Sequence, residues 1–365
     1  MNAHAVLILP PLAALACCIP PADAAPPLHR DCLVGVYYFS GWWRPLPNKW
    51  VVAGRDWRAD FPGRVPLLGQ YNEQAAMDRE ILAASDHGVA FFQILWYYQD
   101  PNHEREPHQD KLNEGLRLFM ASRYANRMRF TVEYVNHPPF DITTDAAWEV
   151  ACREWIAAMK HPSYLRVGGE PVFKIHGLDY FLQQNGGDVG RAEARLNTLR
   201  RLAKEAGLPP LLIGAGVGVG AVASGPAIQL FDFLTTYMDV PPVPPRQQPY
   251  PYTMLIDHAE DGWRRYAANR SKPYVPYVPA GWDPRPWRDP RASFMLPTMD
   301  QWLDALRRAK AALDSSPNLG VPLPNGGRQK MLLIYAWNEF GEGGIVAPTK
   351  GDGYAKLDAI KAVFR

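Results

Sequence analysis

Cysteine is scarce in this chain of 365 residues. There are four, and two of them, Cys17 and Cys18, sit side by side near the N-terminus. No Cys/His spacing resembles a zinc site, so neither a metal nor a cofactor is expected. A dominant charge is also missing. The formal net charge of +2 provides no broad basic field, which removes nucleic acid from the expected partners. Hydrophobic runs of membrane-spanning length are absent. The one candidate, residues 5–19, is too short and is broken by Pro10 and Pro11. It reads instead as a signal peptide. Small residues at 22–25 place cleavage after Ala24 or Ala25, although no Lys or Arg precedes the apolar stretch. Lipid attachment at Cys17 is the alternative. Residues 1–25 are thus expected to leave and 26–365 to form a single catalytic domain, monomeric and exported. Cys32 and Cys152 remain, and a disulfide and two buried thiols are both open.

Aromatic side chains are plentiful. Twelve Trp and 17 Tyr suit either a Trp-rich core or the stacking of flat apolar ligand faces, those of sugars among them. The hydrophobic share of 47% in a chain this long can bury one large core.

Strand-length apolar runs alternate with amphipathic helical stretches. The strands read as residues 32–39, 89–96, 128–135, 171–176, 210–214, 231–237, 274–278 and 331–337. The helices between them read as 74–86, 110–122, 145–159, 189–206, 258–269, 299–313 and 354–364. The fifth helix would fall in the Gly/Ala-rich stretch after Gly214, where helix signals are poor. Strands that are apolar without alternation imply a parallel sheet covered on both faces. Eight such units imply an α/β fold, a single (β/α)8 TIM barrel with long βα loops. An open doubly wound sheet is less consistent, because no Gly-x-Gly-x-x-Gly turn follows the first strand. Residues 40–71, 241–252 and 281–297 are long connections after strand ends, where a barrel carries its active site.

The barrel topology predicts that residues at the strand ends converge on one mouth. Strand one contributes Tyr37, Tyr38, Trp42 and Trp43, and strand two Trp96 and Tyr97. Strands three and four contribute Glu133 and His176. Strand six contributes Tyr237; strand seven contributes Trp282, Asp283 and Arg285. Strand eight contributes Trp337, Asn338, Glu339 and Glu342. Aromatics for the C–H faces of rings and a few polar groups for hydroxyls are what carbohydrate chemistry requires.

Glu339 and Glu342 are the expected catalytic pair. Cleaving a glycosidic bond takes one protonated acid at the leaving oxygen and a second carboxylate as base or nucleophile. Two carboxylates three residues apart on a glycine-rich turn can face one cavity, and proximity splits their pKa values. Glu-x-x-Glu alone is a common solvated turn. Its place behind a buried strand and Trp337-Asn338 is what singles it out.

The run Trp337-Asn-Glu-Phe-Gly-Glu-Gly343 resembles the Trp-Asn-Glu-Trp-x-Glu-Gly signature of glycoside hydrolase family 99 and of the related WbsX-type proteins. Residues 34–39 with Trp42-Trp43, 164–173, 231–237, 281–285 and 353–359 resemble further segments of that family in order. The resemblance implies a (β/α)8 barrel acting without metal on α-mannosides, with retention. It implies that Glu339 is the base toward the sugar 2-hydroxyl, which closes a 1,2-anhydro sugar, and that Glu342 is the acid/base. Phe340 stands where the family has Trp, and Gly341 where it has a larger polar residue. Residues 345–348 also lack the acidic residue often found there. The alternatives are a non-catalytic glycan-binding barrel and a WbsX-like role in polysaccharide assembly. The leader argues against the latter, since sugar-nucleotide donors are cytoplasmic.

Overall fold

The computed structural model describes residues 31–101 and 106–365. The expected signal peptide and its cleavage site lie outside the described residues.

Eight parallel strands form the barrel wall: β1 Cys32–Tyr38, β2 Phe91–Tyr97, β3 Arg129–Val135, β4 Glu170–Ile175, β5 Leu212–Gly216, β6 Phe233–Thr235, β7 in two pieces, and β8 Arg328–Tyr335. Every residue of β1, β2 and β3 is buried, which is why these strands read as unbroken apolar runs. β7 closes the circle. Its first piece, Tyr274–Val275, pairs with β6, and its second, Tyr277–Pro279, pairs with β8. Pro276 separates the two pieces; it has no N–H, but its carbonyl accepts from the Leu333 N–H at 2.9 Å.

Among the described residues, eight α-helices pack around the wall: α1 Gln74–Asp86, α2 Glu114–Ala121, α3 Asp145–Met159, α4 Leu178–Gln184, α5 Val189–Glu205, α6 Thr253–Asn269, α7 Met299–Ser315 and α8 Ala355–Phe364. Thr144, Asp188 and Thr298 cap α3, α5 and α7 by accepting backbone N–H bonds. The expected second helix opens as a 3-10 turn, Gln109–Asn113, before α2. No α-helix follows β5; a 3-10 turn, Pro226–Leu230, takes its place. The Gly/Ala-rich residues there supply too little apolar surface to hold a helix against the wall.

β5 runs two residues later than the sequence suggests, because Ala215 and Gly216 belong to the strand while Pro210 and Leu211 do not. A Cβ on Gly214 would lie 2.4 Å from the Phe233 ring, and one on Gly216 would lie 1.7 Å from the His176 carbonyl. Bare backbone at these positions lets β4 and β6 close in on β5. Cys32 and Cys152 are both buried free thiols, which resolves the open alternative. Burial pushes the Cys32 thiol up to about 12, so neither acts as a nucleophile at neutral pH.

Candidate active site

β8 leaves the wall into a short hairpin in which Asn338–Glu339 pairs antiparallel with Gly344–Ile345. Three glycines make that hairpin possible. A Cβ on Gly341 would fall 2.0 Å from the Trp287 indole, and one on Gly344 would fall 2.4 Å from the Tyr335 ring. Gly343 holds φ of +84°, left-handed backbone that other residues avoid. The turn closes with the N–H of Gly343 donating to the Glu339 carbonyl at 2.8 Å. Glu339 and Glu342 consequently face the same cavity of about 290 Å³, whose wall also includes Phe39, Lys49, Tyr97, His137, His176, Tyr237 and Trp287.

Each carboxylate has its own phenol. Tyr237 donates to Glu339 Oε1 at 2.7 Å, and Tyr335 donates to Glu342 Oε2. The Arg291 guanidinium stands 3.3 Å from Glu342 Oε1. Oε2 of Glu339 is buried and has no hydrogen-bond partner among the described residues, which leaves one acceptor for an incoming group. Burial, together with the charge of Glu342, pushes the Glu339 carboxyl up to about 8. Burial also raises Glu342, against the opposing pull of Tyr335 and Arg291. The two titrate as one unit, and that unit keeps a proton into the neutral range.

A buried ionic cluster supports the floor of the cavity. Lys174 donates to Glu133 Oε1 at 2.8 Å and to the Tyr37 hydroxyl at 3.0 Å. His176 Nδ1 lies 2.7 Å from the same Glu133 oxygen. Burial alone would raise Glu133, but Lys174 and His176 together hold it below the usual carboxylate range. An ionised carboxylate only accepts, so Nδ1 of His176 carries a hydrogen and the ring is fixed in orientation. The Tyr237 ring is packed edge-on by Tyr37 and Tyr335 and lies against His176, with centroids at 4.7, 4.9 and 4.8 Å.

No family model matches the sequence, and no curated protein matches it. Solved structures do. One described as a glycoside hydrolase-like protein aligns over 96% of this chain and 98% of its own, with a TM-score of 0.60 at 15% identity. The GH99 endo-α-mannosidase of Bacteroides thetaiotaomicron aligns over 90% and 95%, with a TM-score of 0.58 at 14% identity. An exo-β-1,4-mannosidase from Opitutaceae bacterium strain TAV5 aligns over 91% of this chain and 59% of its own, with a TM-score of 0.50 at 14% identity. The fold is the (β/α)8 barrel.

The barrel brings only part of the expected mouth together. Glu339, Glu342, Tyr97, His176 and Tyr237 line the cavity. Tyr37 and Glu133 lie beneath it, in the barrel interior. The others do not converge there. Side chains alternate across a strand, so each neighbour of an inward residue points out to the helices. Tyr38 donates to Glu80 of α1 at 2.9 Å and Trp96 packs on Trp155 of α3. Trp337 lies just past the end of β8 and packs on Phe92. Trp42 donates to the Asn338 carbonyl and packs at a tilt against Trp50 and Phe340. Trp43 donates to the Pro47 carbonyl. Asn338 clamps Phe39, accepting from its N–H and donating to its carbonyl, both at 2.8 Å.

The residues expected from strand seven brace the barrel loops. Asp283 is buried between Arg64 and Arg285, and its N–H donates to the Glu342 carbonyl at 2.5 Å. Trp282 lies under Arg291, 4.5 Å from the guanidinium carbon to the ring centroid. Sequence reasoning missed Lys49, His137, Trp287, Arg291 and Tyr335 as site residues. Tyr335 is the last residue of β8 and could have been found from that position, where the barrel topology places site residues. Lys49, Trp287 and Arg291 lie inside connections whose length already marked them.

Proposed function

We propose that this chain is an exported retaining glycoside hydrolase that cuts within an α-mannoside-containing polysaccharide or oligosaccharide. One observation carries the reading: Glu339 and Glu342 face one cavity, each bonded to a different tyrosine, and share a proton into the neutral range. One carboxyl can then deliver a proton to the leaving oxygen while the other, ionised, acts on the opposite side of the step.

The resemblance at residues 337–343 divides the work. Glu339 takes the proton of the sugar 2-hydroxyl as O2 attacks C1. The bond from C1 to the leaving oxygen breaks, and Glu342 supplies that oxygen with its proton. Water then attacks C1 and gives a proton to Glu342; the C1–O2 epoxide bond opens and Glu339 returns its proton to O2. The unpartnered Oε2 of Glu339 accepts this proton in the state where the pair's shared proton lies on Glu342. The endo-α-mannosidase among the similar structures supports the sugar class, and the apolar segment at 5–19 supports export.

Incubation with a panel of bacterial and fungal polysaccharides, α-mannans included, tests the reading, with the product anomer followed by NMR. Cleavage with retention is expected from the wild type. Glu342→Gln should lose about 100- to 10,000-fold in rate with its thermal unfolding unchanged. Full activity in Glu342→Gln overturns the assignment, and an inverted product overturns the epoxide route. Glycan binding by the wild type with no product after long incubation marks a non-catalytic binder instead.

A further inference from the structure

A second cavity of about 640 Å³ opens beside the first and shares His176 and Tyr237 with it. Its far wall is the Gly/Ala-rich connection after β5, the stretch that fails to form a helix. A cleft of this size is on the scale of roughly 300–1,000 Å³ that holds drug-sized ligands. That is room for more than one sugar ring.

The two cavities are joined by aromatic rings. Tyr180 lies at the outer rim with 41% of its surface exposed, unusual for a large aromatic in this chain. Its ring is 6.0 Å from His137, which is 5.9 Å from His176, which is 4.8 Å from Tyr237, the partner of Glu339. The rings meet edge-on or tilted, at 61°, 67° and 56°, and form one continuous aromatic wall between the cavities. The polar chemistry is one-sided. Asp179 and Asp239 line the cavity and no Lys or Arg does. Asp239 Oδ2 is held by the N–H groups of Val219 and Gly220 at 2.7 and 3.3 Å, with His258 at 3.6 Å. Its Oδ1 is left to accept from a hydroxyl.

We infer that this cavity is a binding site for further neutral hexose units of an extended glycan, with Asp239 accepting from sugar hydroxyls and the acidic wall excluding uronic acids. The inference rests on the glycosidase reading above and deepens it, because a site of this kind makes chain length part of recognition.

Gly220 provides a clean probe. A Cβ there meets nothing within 4 Å, and its φ is not in the left-handed range. Gly220→Trp should therefore fill the cavity without touching Glu339 or Glu342. Binding is measured by isothermal calorimetry in the Glu342→Gln background, so that turnover does not interfere. The probes are linear tetrasaccharides of mannose, glucose and galactose, the matching disaccharides, and tetragalacturonate. At least one neutral tetrasaccharide should bind about tenfold tighter than its disaccharide. Gly220→Trp should abolish that gain and leave disaccharide binding unchanged. Tetragalacturonate should bind several-fold weaker than the best neutral tetrasaccharide, and Asp239→Asn should narrow the difference.

Equal binding of di- and tetrasaccharide, or a length gain that survives Gly220→Trp, overturns this inference even if the wild type cleaves polysaccharide. Length-dependent binding lost in Gly220→Trp supports the inference even if the wild type cleaves nothing. Absence of binding by every probe overturns it.

Discussion

The hydroxyl of Tyr237 donates to Oε1 of Glu339 across 2.7 Å, joining the end of β6 to the hairpin that follows β8. That bond favours the ionised carboxylate, while burial and Glu342 oppose ionisation more strongly. The site is thus a balance between one phenol and a dry, like-charged surrounding, and the balance can be moved from either side.

The alkaline limb of activity should follow this pair. Catalysis needs one proton on the unit, so kcat/KM in the wild type should fall as pH rises through about 8. Tyr237→Phe removes a donor to the ionised form, so the limb should move to higher pH. A pH–rate profile of both proteins checks the shift, and a limb unmoved in Tyr237→Phe would contradict the balance described here.

The same shift has a signature in stability. The Glu339 carboxyl titrates higher in the folded chain than in the unfolded one, so the native state binds more protons between about pH 4.5 and 8. Stability from this group is therefore present below the unfolded pKa and lost as pH rises through the folded one. Glu339→Gln, which never ionises, should lose its advantage at low pH and gain it at high pH. Thermal melts at pH 5 and pH 8.5 should show the variant's Tm rising relative to wild type by a few degrees, and an unchanged difference would count against the raised pKa.

Beneath the site, Glu133 and Lys174 are fully buried partners. Removing Glu133 leaves the Lys174 charge only the Tyr37 hydroxyl, and removing Lys174 leaves Glu133 only His176, at a cost of about 3–5 kcal/mol. Glu133→Gln and Lys174→Met should each be strongly destabilised in urea unfolding. The double variant Glu133→Gln with Lys174→Met should recover most of the loss, because no charge is stranded. A double variant as unstable as the sum of the singles would mean that the cluster is not a coupled pair.

Gly341 is the tightest point of the hairpin against Trp287. Gly341→Ala should push the indole out of the cavity wall, at a cost of about 1–3 kcal/mol from overpacking. A larger effect is expected on KM than on unfolding, readable by comparing substrate saturation with thermal melts. Unchanged saturation would place Trp287 outside substrate contact.

Much of this was determined by the sequence alone. Eight strands and seven of the eight helices were legible because strands buried on both faces are apolar at every position, and helices repeat every three to four residues. Glu339 and Glu342 were legible because a short-range motif carries both acids on one turn. Tertiary structure decided the rest. Tyr38 and Trp96 each adjoin an inward-facing residue in sequence, and only the register of the closed barrel fixes which of two neighbours faces the axis. Lys49, Trp287 and Arg291 reach the carboxylates from loops that are distant in the chain, and their positions depend on how those loops fold over the barrel end. The proton shared by Glu339 and Glu342 also belongs to the fold, because it arises from water excluded by residues drawn from six different strands and loops.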